Sequence, residues 1–376
     1  MKIKIRIFFI DFVSKLYKTI FKPIFFLIDP EKVHESISSA GEFFGKVSFV
    51  KRTTGSVFKV KDRSLEQSIA GIDFKSPVGL AAGFDYEAKL TQFLPALGFG
   101  FETVGTITNS SYEGNPKPLL GRLPRSRSLM VNKGFKNLGA KKTIEKLEKL
   151  KFDIPIGISI GRTNSRKLIT QQESVEDVVN AFTLFEKSSV NNSYYELNIS
   201  CPNLFGEISF YPKKNLRGLL TEIEKLRLKK PIFIKMPIEK TDTEVLEMLD
   251  VIANFSIKGI IFGNLQKNRK DPALNVGEVE KFKVGNFSGK PTEKRSNELI
   301  KLAYKKYKKK LVIIGCGGIF SAEDAYQKIR LGASLVQLIT GLIFRGPQLV
   351  SEINLDLIKL LKRDGFKNIS EASGSV

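Results

Sequence analysis

Two pairs near the C-terminus, Gly317-Gly318 and Thr340-Gly341, each close a short apolar run and precede a helix-patterned stretch. Glycine at the end of a strand lets backbone N–H groups approach a ligand with no Cβ in the way. Helix starts direct further N–H groups at anions. Together the two pairs point to a phosphate-bearing cofactor or substrate; the plainer alternative is glycine required only for tight turns. Polar and small residues also end other apolar runs: Ala82-Gly83, Gly105-Thr106, Ser159, Asn198 with Cys201, Lys235 and Asn264.

Other chemistries are excluded by what the chain lacks. It has one histidine, His34, and two cysteines, Cys201 and Cys316, with no CxxC pair. That leaves too few ligands for a structural zinc site, and no metal site is expected. A Ser-His-Asp triad would have to use the single histidine. Two cysteines build no disulfide framework, so a reducing compartment is expected. Cys316, flanked by glycines, reads as packing. Lys and Arg number 61 against 39 Asp and Glu, a net charge of +22. The lysines lie mostly beside glutamates, as in Glu145-Lys146-Leu147-Glu148-Lys149, and the densest run, 305–310, ends a helical stretch where cations suit the dipole. This reads as a solvated surface, with no nucleic-acid partner.

The elements that must hold these residues become regular from residue 76. Short apolar runs occur at 76–84, 99–108, 154–161, 194–200, 231–237, 257–264, 309–318 and 333–341. Helix-patterned stretches separate them, at 138–151, 173–188, 215–228, 241–255, 293–306 and 321–331, with a last one at 347–362. Continuous apolar runs alternating with helices describe parallel strands buried on both faces. Eight such units predict an α/β fold, a closed (β/α)8 TIM barrel, whose functional residues gather at the C-terminal rim of the strands. Residues 56–74 read as small extra strands plugging the opposite end.

The N-terminus follows another rule. Across residues 1–28, basic residues such as Lys15, Lys18 and Lys22 interleave with Phe9, Phe12, Leu16, Ile20 and Pro23 at helical spacing. No uncharged apolar run approaches the roughly 20 residues of a membrane span, and no signal-peptide pattern is present. An apolar face with basic flanks suits a helix lying among anionic lipids; the alternative is a helix packed on the main domain. A second helix is predicted from Pro30 to Phe44, with Asp29 as its N-cap. The chain therefore divides into a helical, membrane-lying extension, 1–45, and a barrel, 46–376.

These residues resemble dihydroorotate dehydrogenase, the FMN enzyme family of pyrimidine synthesis, and specifically its membrane-associated, quinone-reducing class. The motifs are SPVGLAAGFD at 76–85, VGTIT at 104–108, GNPKPLLGRL at 114–123, LNISCPN at 197–203, IIGCGGI at 313–319 and LVQLITGLIFRGP at 335–347. The resemblance begins at Leu27-Ile28-Asp29-Pro30-Glu31 with His34, and the N-terminal extension resembles that class's membrane cap, which would guide quinone to the flavin. It implies FMN with its phosphate at Gly317, Gly318, Thr340 and Gly341. Ala82, Gly83, Thr106, Ser159, Asn198 and Gly263 would line the flavin, and Lys235 would stabilise its reduced, negative form. Substrate contacts would come from Asn198, Asn203 and Asn264, amides suited to a pyrimidine dione edge, with Tyr86 and Asn132 at further substrate positions. Dihydroorotate would become orotate and a quinone would take the electrons. The implied location is peripheral, at the cytoplasmic face of the membrane, with a monomer expected.

Several positions depart from the family pattern. Cys201 stands where the quinone class has Ser, and by resemblance is the catalytic base; a thiol can serve if nearby positive charge lowers its pKa. Tyr86 replaces a Lys that recognises the orotate carboxylate, a charge to be regained only if Lys89 or Lys133 reaches the site. Val131 takes the place of a substrate Asn, and a one-residue shift is needed for Asn132 to serve. Ser159 replaces an Asn, Leu265 a Thr and Ile339 a Tyr, and Leu204-Phe205-Gly206-Glu207-Ile208 replaces the family's TPGLR. Two other readings stay open on this scaffold: a flavin oxidoreductase for a different cyclic amide or enoate, and a non-catalytic membrane-surface barrel.

Overall fold

The computed structural model describes residues 3–206 and 209–376. Among the described residues, thirteen strands follow in chain order. Strands β1 (Gln67–Ile69) and β2 (Ile72–Phe74) form an antiparallel pair. Next come β3 (Val78–Leu80), β4 (Phe101–Ile107), β5 (Leu120–Leu123), β6 (Ser128–Val131), β7 (Ile156–Ile160) and β8 (Tyr194–Asn198). The last are β9 (Ile232–Met236), β10 (Gly259–Phe262), β11 (Asn286–Phe287), β12 (Val312–Cys316) and β13 (Leu335–Leu338). Strands β3, β4, β7, β8, β9, β10, β12 and β13 close in that order into a parallel barrel. Each falls inside one of the eight apolar runs, and the helices between them match the predicted stretches.

The base of the barrel is filled by alternating small and large residues. A Cβ on Gly79 would lie 2.4 Å from the Phe101 ring, and one on Gly157 2.0 Å from that of Tyr194. Glycine is therefore required for the rings to cross the interior. Phe74 of β2 packs edge-on against Phe101 at 5.3 Å, so the β1–β2 hairpin plugs this end as predicted. The plug is shorter than expected, because residues 56–58 end a helix. That helix gains its hold from the barrel: Ser351 donates to the Phe58 carbonyl at 2.6 Å.

At the opposite rim, β5, β6 and β11 form a three-stranded antiparallel sheet beside the barrel mouth. Four helices precede the barrel: α1 (Ile3–Leu16), continued by a π turn over Tyr17–Phe21, then α2 (Lys22–Leu27), α3 (Pro30–Lys46) and α4 (Ser48–Phe58). Asp29 caps α3 as predicted, accepting from the Glu31 and Lys32 N–H groups at 3.0 and 3.1 Å. The extension is docked on the barrel. Tyr17 donates to the Ile343 carbonyl at 2.5 Å, Arg122 to that of Ile28 at 2.6 Å, and Phe26 meets Phe344 edge-on. Ile10 and Ser14 turn inward, while Phe8, Phe9, Phe12, Ile20, Phe21, Ile24 and Leu27 stay exposed, Leu27 by 90%. Of the predicted apolar face only Leu16 is half-buried; the helix both packs on the protein and presents apolar side chains to its surroundings. Among the described residues no helix is long and apolar enough to cross a membrane.

Candidate active site

One cavity, with about 1160 Å³ of empty space including its mouth, opens at the C-terminal rim between the barrel, the β5–β6–β11 sheet and α3. It gathers nearly every residue singled out from the sequence. Ala82, Gly83, Thr106, Lys235 and Gly263 line its floor, with Asn198, Cys201, Asn203 and Asn264 along one side. Gly317, Gly318, Thr340 and Gly341 line the other. The rim geometry follows from local irregularity in β4. Its register with β7 shifts between Val104 and Ile107, which frees Gly105 to accept from Gly83 N–H at 2.6 Å and donate to the Asp85 carbonyl at 3.0 Å. That exchange fixes the Ala82-Gly83 loop against the end of β4 that carries Thr106.

The glycine side is a backbone cradle. Gly317 and Gly318 have φ of +92° and +74°, left-handed values open to glycine. A Cβ on Gly317 would lie 2.3 Å from Thr292 Oγ1, and one on Gly341 2.0 Å from the Ile319 carbonyl oxygen. Ser288, Gly289 and Thr292 also line this wall, and the Ser288 and Thr340 hydroxyls are 2.8 Å apart. Close-set backbone N–H groups and hydroxyls, with no carboxylate among them, are the donor set that a phosphate requires.

The other side is built from amides joined by hydrogen bonds. Ser159 donates to the buried Glu196 carboxylate at 2.6 Å and lies 2.9 Å from Thr106 Oγ1, which accepts from Asn198 Nδ2 at 2.8 Å. Asn198 Oδ1 accepts from Ser200 Oγ at 2.9 Å, and Asn264 Nδ2 donates to the Ser200 carbonyl at 2.6 Å. Ser159 therefore stands behind the wall, not in it: a side chain shorter than Asn spends its hydroxyl on Thr106 and Glu196. Asn132 is also absent from the lining. Its amide donates to the Pro116 and Pro118 carbonyls at 3.1 and 3.3 Å and accepts from Asn115, so no register shift occurs and Val131 faces the cavity. Asn203 does line it, held by Asn286 at 2.7 Å and by the Val131 carbonyl at 3.0 Å.

Electrostatics revise one expectation. Cys201 is half-buried, and burial pushes its thiol up to about 11, against the pull of the Asn203 N–H, Lys235, Lys267 and Arg162. Neighbouring cations reduce the rise without reversing it, because desolvation of a thiolate outweighs them here. Cys316 is buried in the barrel core with its thiol also raised, as packing predicts, though its flank reaches the cavity floor.

Sequence reasoning missed the walls beside α3. Leu120, Leu129 and Val131 line the cavity from β5 and β6, strands of four residues each that leave no readable alternation in the sequence. Tyr86 lies under the stacked His34 ring, 5.3 Å between centroids. Lys133, not Lys89, reaches this spot: its ammonium donates to Tyr86 Oη at 2.9 Å and pairs with Glu31 at 3.3 Å, whereas Lys89 pairs with Glu87. Burial holds Lys133 down to about 8 and keeps His34 neutral, down to about 2. Of the segment that replaces TPGLR, Glu207 and Ile208 lie outside the described residues.

Comparison with known proteins agrees with this architecture. A family model described as dihydroorotate dehydrogenase matches residues 64–361. A dihydroorotate dehydrogenase (quinone) of Trichodesmium erythraeum is 35% identical over 96% of this chain and 98% of its own. One of Christiangramia forsetii is 37% identical over 92% and 99%. The Trichodesmium erythraeum match covers 96% of this chain and so takes in most of residues 1–63. The ligand-free DHODH of Eimeria tenella superposes with a TM-score of 0.82 at 26% identity, over 92% of this chain and 99% of that one. On these grounds the chain belongs to the dihydroorotate dehydrogenase family, in its quinone-dependent class.

Proposed function

We propose that this chain oxidises dihydroorotate to orotate in pyrimidine biosynthesis, with FMN as cofactor and a quinone as electron acceptor. The observation that carries this reading is the rim cavity. It joins a glycine-hydroxyl cradle, the buried Lys235, three amides and a thiol, and is bordered on one side by His34 of α3. Gly317, Gly318, Thr340 and Gly341 would hold the phosphate of FMN, with Ser288 and Thr292 beside them. When bound, FMN supplies a two-electron acceptor that takes a hydride from dihydroorotate and passes the electrons on to quinone.

The chain's own residues do the rest. The buried Lys235, whose ammonium donates to the Ala82 carbonyl at 3.3 Å, offers positive charge at the cavity floor. Asn198, Asn203 and Asn264 would orient the pyrimidine dione, their amide faces set by the Thr106, Ser200 and Asn286 contacts. Ser159 acts through that chain as a positioning residue. Cys201 would take the proton from the carbon next to the one losing the hydride. Its raised pKa requires deprotonation first, so turnover should rise with pH. The apolar wall of Leu120, Leu129 and Val131, facing His34 of α3, suits a quinone ring arriving past the extension.

The extension, residues 1–45, would then work as a unit at the membrane surface. Its exposed Phe8, Phe9 and Phe12 with flanking lysines are what interfacial binding needs. The protein would be peripheral, at the cytoplasmic face, and monomeric. Orotate titration of the flavin-loaded protein, read by its visible spectrum, tests the reading: saturable perturbation supports it, and none up to millimolar orotate refutes it.

A further inference from the structure

Resting on that function, the geometry points to Lys133 as the residue that binds the substrate carboxylate, with Glu31 of the extension holding its ammonium in place beforehand. Dihydroorotate carries a carboxylate, and a carboxylate entering a largely apolar cavity needs a cation there. Three lysines line the cavity. Lys235 lies at the floor against Ala82, and Lys136 is engaged by two carboxylates, Glu31 at 3.1 Å and Glu35 at 3.4 Å. Lys133 is buried and shares with Lys136 a single carboxylate, Glu31 at 3.3 Å, so its charge is less compensated than that of Lys136.

Its other contacts are suited to holding a cation without neutralising it. The ammonium sits 4.2 Å from the Tyr86 ring centroid and donates to Tyr86 Oη. The ring face and the phenol oxygen are both neutral acceptors. Tyr86 is fixed in turn by the His34 ring, held neutral by burial. An ammonium has three donors; Tyr86 and Glu31 take two, leaving one for the substrate. Glu31 lies on α3, so the extension takes part in building the substrate pocket as well as the quinone wall.

The test uses the flavin-loaded full chain with three readouts: the Kd for orotate by calorimetry, and KM for dihydroorotate and for a soluble quinone. Lys133→Met should raise the orotate Kd and the dihydroorotate KM by about 10- to 100-fold, the range for losing a charged hydrogen bond, with the quinone KM unchanged. Because Tyr86 Oη lies 2.9 Å from the ammonium, a lysine at 86 would bring its charge to nearly the same point. The double variant Tyr86→Lys with Lys133→Met should therefore recover most of the orotate affinity. Unchanged orotate affinity in Lys133→Met would overturn the assignment. So would a rise confined to the quinone KM, or a loss the double variant does not recover. If the unaltered protein binds no orotate, it is the functional reading that has failed.

Discussion

The two sides of the cavity are built from different materials. On the glycine side, Gly317, Gly318 and Gly341 offer main-chain groups, and their neighbours Thr292 and Ile319 stand so close that a single Cβ would collide. On the amide side, Asn198, Asn203, Asn264 and Cys201 offer side chains, and the three amides are each held by a further side chain. A backbone-built wall tolerates no added atom but is indifferent to charge. A side-chain wall accepts exchanges, and by resemblance to the family pattern this one carries several, at Val131, Tyr86 and Leu265. On the proposed assignment, the cofactor side is fixed by sterics and the substrate side is tuned by electrostatics.

The sharpest way to break that contrast is a methyl group. Gly341→Ala places a Cβ 2.0 Å from the Ile319 carbonyl oxygen. It should strip bound flavin and lower stability by about 1–3 kcal/mol through overpacking, seen in flavin absorbance per protein and in Tm. On the other side, Cys201→Ala should leave flavin content and Tm intact while lowering kcat by about 10²- to 10⁴-fold. A variant that kept full turnover would remove Cys201 from the chemistry.

The raised thiol gives a sign as well as a size. Its pKa is pushed up to about 11 by burial, so little thiolate exists at neutral pH. Turnover limited by proton removal should therefore climb with pH, by up to about tenfold per unit below the pKa. A flat profile in the unaltered protein from pH 6 to 9 would show that another group takes the proton.

Smaller effects separate the extension from the barrel. Phe8, Phe9 and Phe12 are exposed by 65, 43 and 53%. Replacing all three with Ser should leave Tm within a degree or two and sharply weaken flotation with anionic liposomes. Equal flotation would defeat the interfacial role. The smallest expected change is Ser159→Ala, which removes one node of the Glu196–Thr106 chain. It should cost about 1 kcal/mol of stability and a few-fold in kcat, with the flavin retained.

Why the barrel was legible and parts of the rim were not has a physical basis. Parallel strands buried on both faces leave unbroken apolar runs, as at 231–237 and 257–264, and their ends mark the rim directly. The sheet of β5, β6 and β11 has strands of four, four and two residues, too short to impose a pattern. Asn132 shows the limit most plainly. Its residue type suits a substrate contact, but strand pleat decides direction, and the pleat turns Val131 inward and leaves Asn132 to the Pro116–Pro118 loop. Helix α4 was hidden for another reason. Thr53 and Ser56 are poor helix formers whose hydroxyls bond back to preceding carbonyls, and packing on the barrel overrides that preference. Lys133 could be suspected from the sequence, but its pairing with Glu31, 102 residues away, could not.

The central claim is that this cavity joins a flavin to dihydroorotate despite its altered substrate wall. The most direct measurement is an anaerobic visible spectrum of the purified protein before and after dihydroorotate, followed by a soluble quinone. A flavin band that bleaches with dihydroorotate and returns with quinone is the predicted result. A flavin band that stays oxidised in excess dihydroorotate would contradict the claim and assign the rebuilt wall to another substrate.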